Sequence, residues 1–293
     1  DVERSRGLGD VYKRQALQYD LTLTNAGVTA TTGVKDDTVT GGTGADTITG
    51  GAGADTITGD AGADVFLIAA AADHATGETI VGGADADTIR FTSTTASETL
   101  ALLAGVTDAD NAITVEISDA AGANTGTTAL NVNADALVDT LVVTLIGNDG
   151  DNVLVGNATA DTINGGAGAD TINGEAGADT ITGGAGADTI TGGAGEDTII
   201  LTETSSAADV VVINAVVGTS EDSGRKTISG NANDTGDDTI TGFAVGTDTV
   251  KISASSVASF LHGTDTTIGT AGAANDGTAC LLYTSPSPRD LST

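Results

Sequence analysis

The sequence predicts an all-β protein in which blocks of parallel β-solenoid flank a β-rich domain. Three observations carry that expectation. A nine-residue phrase recurs in tandem, as GGAGADTIN, GEAGADTIT, GGAGADTIT and GGAGEDTII over residues 165–200, and tandem self-similarity at a fixed short period marks solenoid arrays. The last three residues of each phrase alternate polar, apolar, polar, the period of a strand with one buried face. The first six are mostly Gly, Ala and Asp, of which Gly and Asp are the residues of tight turns.

The elements follow in order. Residues 16–31 read as a leading β segment. The first repeat block is 32–90: a degenerate phrase ending DDTVT at 36–40, then GGTGADTIT (41–49), GGAGADTIT (50–58) and GDAGADVFL (59–67), with GGADADTIR alone at 82–90. Residues 91–146 read as a separate connecting domain. There ITVEI (113–117), ALNVNA (129–134) and TLVVTLI (140–146) have strand length and patterning, while SETLALLAG (97–105) reads as one short helix ended by Gly105. The second block, 147–200, opens with GNDGDNVLV and GNATADTIN before the four phrases quoted above. Residues 201–279 read as a continuation and closing segment, with DVVVINAVV (209–217) as a buried strand.

The two ends are of another kind. DVERSRGLGDVYKRQ (1–15) and CLLYTSPSPRDLST (280–293) resemble the two strands of a single sequencing-adapter DNA read through in frame. Such segments are excluded from fold reasoning, and the native stretch is then expected to be 16–279, an internal fragment. Both prolines (Pro286, Pro288) and the single cysteine (Cys280) fall in the excluded ends. Of the basic residues, Lys35, Arg90, Arg225, Lys226 and Lys251 remain within 16–279.

A net charge of −31 with so few cations excludes a nucleic-acid or anionic-membrane surface, since both need clustered Lys and Arg. It suits cations as partners. No run approaches the apolar length of a membrane span. Chemistry-bearing constellations are also lacking: there is no HExxH, no paired His and no Cys within 16–279, so the segment is expected not to be an enzyme, and His74 and His262 read as surface or packing residues. DADN (108–111) begins like an EF-hand loop, but no Gly stands at the sixth place and no Glu closes it, so it reads as an acidic turn.

The tandem phrases resemble the GGxGxDxUx nonapeptide of RTX proteins, the hemolysin-type repeat of calcium-binding β-rolls. The resemblance implies that two phrases make one coil, so that residues eighteen apart stack one rung apart, about 4.8 Å. It also implies several Ca2+ ions as the cofactor, held between rungs by sixth-place aspartates and turn carbonyls, which are hard oxygen ligands. The residues so placed are Asp46, Asp55, Asp64, Asp87, Asp161, Asp170, Asp179, Asp188 and Asp197, with the carbonyls of Gly41, Gly50, Gly165, Gly174, Gly183 and Gly192. The stacked pairs are Asp161 with Asp179, Asp170 with Asp188, Asp179 with Asp197, and Asp46 with Asp64. Ile163, Ile172, Ile181, Ile190 and Ile199 then point into the core, with the flanking Thr outward. One large apolar residue per nine is little to set against ordering a glycine-rich phrase, so folding is expected to depend on the ion.

Departures from the phrase mark weaker positions. Asn152 replaces the sixth-place Asp of 147–155, with Asp149 and Asp151 beside it, and Thr159 replaces a fourth-place Gly. Lys35 and Asp36 put an ion at Asp37 in doubt. The stretch GDDTITGFAVGTDTVKIS (236–253) resembles the segment that follows RTX blocks, in which Phe243 would cap the open core. By resemblance the chain is a fragment of a secreted bacterial cell-surface protein of S-layer or adhesin type, exported by type I secretion and folding outside the cell, with self-assembly, other surface proteins or glycans as partners. The alternatives are the RTX tail of a secreted protease or lipase, and an ice-binding segment built on the outward Thr ranks, which Ile200 interrupts.

Overall fold

The computed structural model describes residues 18–23, 27–138, 140–201, 207–214, 239–241, 248–253 and 278–281. The adapter-like residues 1–15 and 282–293, Phe243, His262, Arg225 and Lys226 lie outside the described residues. Within them the chain is a parallel β-solenoid. Consecutive strands alternate between faces. One face is a ten-stranded sheet formed by Thr29–Thr31, Thr47–Thr49, Val65–Ile68, Asp87–Phe91, Ala112–Ile117, Val142–Ile146, Thr162–Ala167, Thr180–Ala185, Thr198–Ile200 and Thr239–Thr241, paired in that order. The intervening strands form a five-stranded sheet, from Asp20–Thr22 to Val106–Thr107, and an eight-stranded sheet that begins at Glu98–Ala101.

The register is the one the nine-residue period demands. Thr162, Ile163 and Asn164 pair with Thr180, Ile181 and Thr182, and Thr171, Ile172 and Asn173 pair with Thr189, Ile190 and Thr191. The central residue of each triplet faces inward, so Ile163, Ile172, Ile181, Ile190 and Ile199 are at most 2 % exposed. Each such side chain contributes about 1.5–3 kcal/mol on burial. In the first block Thr38–Thr43 pairs with Thr56–Ala61 at the same offset, but Thr56 then pairs with Thr79. The additional residues of that coil are taken up around the 3-10 turn Ala71–Asp73.

Two expectations are corrected. Residues 91–146 are not a separate domain: Ala112–Ile117 pairs in parallel with Asp87–Phe91 on one side and with Val142–Ile146 on the other, and Leu130–Asn133 joins Glu98–Ala101 to Val153–Val155. The solenoid therefore runs unbroken through this stretch, with longer coils and a larger core that includes Phe91, Leu100, Leu102, Leu130, Leu141 and Leu145, all at most 2 % exposed. Nor is 97–105 a helix. Glu98–Ala101 is a strand whose Leu100 points inward, because the ladder offered by Leu130–Asn133 outweighs the weak helical propensity of a short Leu and Ala run.

At the ends the leading segment is already solenoid, since Asp20–Thr22 and Thr29–Thr31 pair with Thr38–Thr43 and Thr47–Thr49. Val210–Asn214 and Thr249–Ser253 extend the eight-stranded sheet beyond the second block. Thr278–Leu281 then adds to Thr249–Ser253 as an antiparallel strand. That strand crosses the boundary expected at residue 279 and brings Cys280 and Leu281 into a ladder. The open edge of a solenoid sheet presents unpaired N–H and C=O groups that any extended segment can satisfy.

Candidate metal centre

The sixth-place aspartates stand at the point where the turn becomes the strand, and the stacking of rungs draws them inside. Asp37, Asp46, Asp55, Asp64, Asp87, Asp161, Asp170, Asp179, Asp188 and Asp197 are each at most 2 % exposed. One oxygen of each has a structural task. Oδ1 of Asp179 accepts the N–H of Asp161 at 2.8 Å, Oδ1 of Asp188 that of Asp170 at 2.9 Å, and Oδ1 of Asp197 that of Asp179 at 3.0 Å. The same bond links Asp64 to Asp46 and Asp55 to Asp37, and Asp87 to Asp64 across the wider coil. The carboxylates thus form a ladder in which each clamps the backbone of the rung before it.

The other oxygen is left over. Oδ2 of Asp46, Asp55, Asp64, Asp87, Asp170 and Asp179 is buried without a hydrogen-bond partner. A buried charge in that condition is costly unless something positive joins it. The proton affinities of Asp55, Asp64, Asp87, Asp170 and Asp179 rise accordingly. Burial pushes Asp179 up to about 8 from 3.8, its hydrogen bond from Asp161 working against this and the stacked charges of Asp197 and Asp161 working with it. Burial likewise raises Asp170 and Asp87 to about 7 and Asp55 to about 6.

Glycine serves two different needs in the turn. The first-place glycines lie against the unanswered oxygens: a Cβ on Gly41 would stand 2.7 Å from Oδ2 of Asp46 and 2.5 Å from the carbonyl oxygen of Gly59 on the next rung. Gly165 is hemmed in the same way by Asp170 and the carbonyl of Gly183, and Gly174 by Asp179 and the carbonyl of Gly192. The second and fourth places instead require left-handed backbone, as at Gly184 (φ 106°) and Gly186 (φ 133°). At Gly41, Gly59, Gly165 and Gly174 the turn therefore gathers one carboxylate oxygen and the next rung's carbonyl around space that a side chain would fill.

That donor set fits a hard cation, which takes six to eight oxygens from carboxylates, carbonyls and water. No three His, Cys, Asp or Glu side chains converge on one point among the described residues, so carbonyls such as those of Gly174, Gly183 and Gly192, and water, would complete the shell. The expected ligands Asp46, Asp55, Asp64, Asp87, Asp170 and Asp179 are thus brought to suitable positions. Asp188 and Asp197 occupy the same places in the ladder.

Other expected positions satisfy themselves. Asp161 has both oxygens engaged, Oδ2 by the N–H of Asn157 at 2.8 Å and Oδ1 by the N–H of Val143 and the hydroxyl of Thr159. Asn152 accepts from Asn148 N–H and donates its amide to the carbonyl of Leu130. Oδ2 of Asp37 accepts from Gly33 N–H at 3.0 Å, and the carbonyl of Gly50 accepts the hydroxyl of Thr32. Asp151 is an exposed turn acid that accepts the N–H of Ala169. His74 is a packing residue: it is buried, accepts the N–H of Leu103 on Nε2 at 3.2 Å, and burial lowers it to about 4.

Two acids of this region were not expected. Glu78 continues the ladder after Asp55, whose N–H it accepts at 2.9 Å, and burial pushes it up to about 8. The sequence carried its signal, since Glu78-Thr79-Ile80 repeats the Asp-Thr-Ile of the phrase with Glu in place of Asp. Asp108 was read only as the first residue of an acidic turn; it does open that turn, accepting the N–H of Asp110, and the pairing of Val106 with Ile80 also sets it level with Gly82.

A family model described as the RTX calcium-binding nonapeptide repeat matches the chain in four copies, at residues 31–66, 75–90, 146–181 and 174–201. No curated protein matches the chain.

Proposed function

Taking the chain as the RTX β-roll repeat protein that its calcium-binding repeats and its fold make it, we propose that it is a calcium-stabilised segment of a secreted bacterial surface protein, of S-layer or adhesin type, with a structural rather than a catalytic role. The observation that carries the calcium reading is the row of buried Oδ2 atoms on Asp46, Asp55, Asp64, Asp170 and Asp179 that no group among the described residues answers. Calcium supplies the missing positive charge and, by binding only the folded rungs, adds its binding free energy to folding. The chain's own residues do the rest. Oδ1 holds each carboxylate in place through the preceding rung's N–H, Oδ2 faces the turn, and the first-place glycines keep that space free.

Such a device suits a compartment where calcium is abundant, so that the chain stays unfolded before export and folds outside the cell. The parallel strands that continue through 91–146, the Ala, Thr and Gly-rich composition and the negative charge support a surface-scaffold role over the tail of a protease or lipase. The sequence upstream in the parent gene separates the two, because an HExxH or lipase motif there overturns the scaffold reading. The calcium reading is tested by titrating the chelated protein and following circular dichroism. We expect β-structure to rise cooperatively through about 0.1–1 mM calcium, the range of extracellular modules, with magnesium a poor substitute because it requires a tight octahedron. Full β-structure in excess chelator would overturn it.

A further inference from the structure

At the junction between the first repeat block and the longer coils, two carboxylates meet where an ordinary rung has one. Val106–Thr107 pairs with Ile80 and Val81, which sets Asp108 level with Gly82, the first-place glycine of the 82–90 phrase. In the rungs below, this level holds another first-place glycine, whose carbonyl faces the aspartate: Gly59 follows Gly41, and Gly82 follows Gly59. Above Gly82 the pattern changes. A Cβ there would meet no carbonyl oxygen among its nearest atoms; it would meet Oδ2 of Asp108 and Oδ2 of Asp87.

Both side chains are more than nine-tenths buried, Asp87 at 1 % and Asp108 at 8 % exposure, and neither Oδ2 has a hydrogen-bond partner. Their Oδ1 atoms are committed elsewhere, that of Asp87 to the N–H of Asp64 at 2.7 Å and that of Asp108 to the N–H of Asp110 at 2.8 Å. Because both Oδ2 atoms touch one point, they stand less than about 5 Å apart, the span that one Ca2+ bridges with ligands at about 2.3–2.6 Å.

We propose that Asp87 and Asp108 together hold a calcium ion at this junction, in a site that the nonapeptide does not encode because half of it comes from the strand after the repeats. The proposal rests on the reading that the Oδ2 atoms of the ladder face calcium. Exchanging a carbonyl for a carboxylate adds a full negative charge to the ligand set, and ligand charge is one of the terms that tightens calcium sites. This ion therefore binds before those of the repeat rungs and ties the first block to the coils that follow.

The experiment compares the full chain with Asp108→Asn and with Asp170→Asn, a repeat-rung control. Bound calcium is counted by atomic absorption after dialysis at saturating calcium, and the order of filling is followed by calorimetric titration. Asp108→Asn is expected to lose one ion per chain and the tightest-binding phase, whereas Asp170→Asn keeps that phase and loses calcium from the weaker ones. An Asp108→Asn protein with the same count and the same first phase overturns the junction site and leaves the repeat reading standing. A parent chain that binds no calcium sinks both. Should Asp108→Asn fail to fold, Gly82→Ala makes the same test, because its Cβ would stand 2.2 and 2.4 Å from the two Oδ2 atoms and fill the site, with Cβ of Asp87 giving way slightly at 3.1 Å. Unchanged calcium in that variant overturns the proposal.

Discussion

The rungs from Thr162 to Ile200 and the coils from Phe91 to Ile146 share one ladder and one core but solve the same problem differently. A repeat rung buries a single isoleucine per strand and leaves Oδ2 of Asp170 or Asp179 unanswered. The longer coils bury Leu100, Leu102, Leu130, Leu137, Leu141 and Leu145 with Ile113, Val115 and Ile117, and where they meet the second block the polar groups answer one another through Asn148, Asn152, Asn157 and Asp161. The difference teaches where an ion is needed. Rungs at the start of each block, at Thr32–Asp37 and at Asn148–Asp161, depart from the phrase and close their own hydrogen bonds, whereas the rungs that keep the phrase leave an oxygen for something else.

The largest expected effect is on the loss of calcium itself. In chelator, amide hydrogen exchange read by mass spectrometry is expected to lose protection first across 165–200, while 112–117 and 142–146 retain it longest. The larger apolar core stabilises those strands without an ion. Uniform loss of protection along the chain would break the comparison.

Acid is expected to act in place of the ion. In the metal-free chain burial raises Asp179 from 3.8 to about 8 and Asp170 from 3.8 to about 7. The folded state then holds more protons than the unfolded state between those values, so stability is greatest below the unfolded value and is lost as pH rises through about 7–8. In chelator, circular dichroism is expected to show more β-structure at about pH 5 than at about pH 8, and saturating calcium is expected to abolish the difference. More structure at the higher pH would mean that these carboxylates are not the groups that strain the metal-free fold.

A pair of substitutions sharpens the contrast within one ladder. Asp179→Ala removes an unanswered oxygen along with a clamp, so the calcium midpoint is expected to rise several-fold with fewer ions bound. Asp161→Ala removes a carboxylate whose oxygens already serve Asn157, Val143 and Thr159. It is expected to cost about 1–3 kcal/mol of stability at saturating calcium, the cost of stranding buried donors, with the number of ions unchanged. Equal effects on calcium stoichiometry from both variants would erase the distinction between self-closed and ion-requiring rungs.

How much of this was legible follows the same division. The inward isoleucines, the eighteen-residue stacking of Asp161, Asp170 and Asp179 on Asp179, Asp188 and Asp197, and the doubt about Asp37 and Asn152 could be read from the phrase, because a strict period converts sequence offset into spatial position. Residues 91–146 could not, since unequal coil lengths conceal register: nothing local says that Ile113 pairs with Asp87 and with Val143. Asp108 could be read as an acidic turn but not as a neighbour of Asp87, for the same reason, its place being set by the pairing of Val106 with Ile80. The separate tasks of the glycines also needed coordinates, since the first place is crowded by a carboxylate while the second and fourth need positive φ.

The smallest expected effect tests that last distinction. Glu175 holds the second place of its phrase at φ 75°, where the equivalent residues Gly166, Gly184 and Gly193 are glycines at φ 104°, 106° and 124°. A side chain in left-handed backbone is strained by roughly 1–2 kcal/mol, and glycine recovers most of this while losing about 0.5–1 kcal/mol to its greater freedom in the unfolded chain. The amide of Asn173 would give up its bond to the Glu175 carboxylate, a half-buried contact of small net worth. Glu175→Gly is therefore expected to raise stability at saturating calcium by about 0.5–1 kcal/mol, read as a small increase in melting temperature. Calcium stoichiometry should not change, because the carbonyl and carboxylate that face the ion belong to other places of the phrase. A loss of bound calcium in this variant would show that the second place, and not only the first and sixth, belongs to the site.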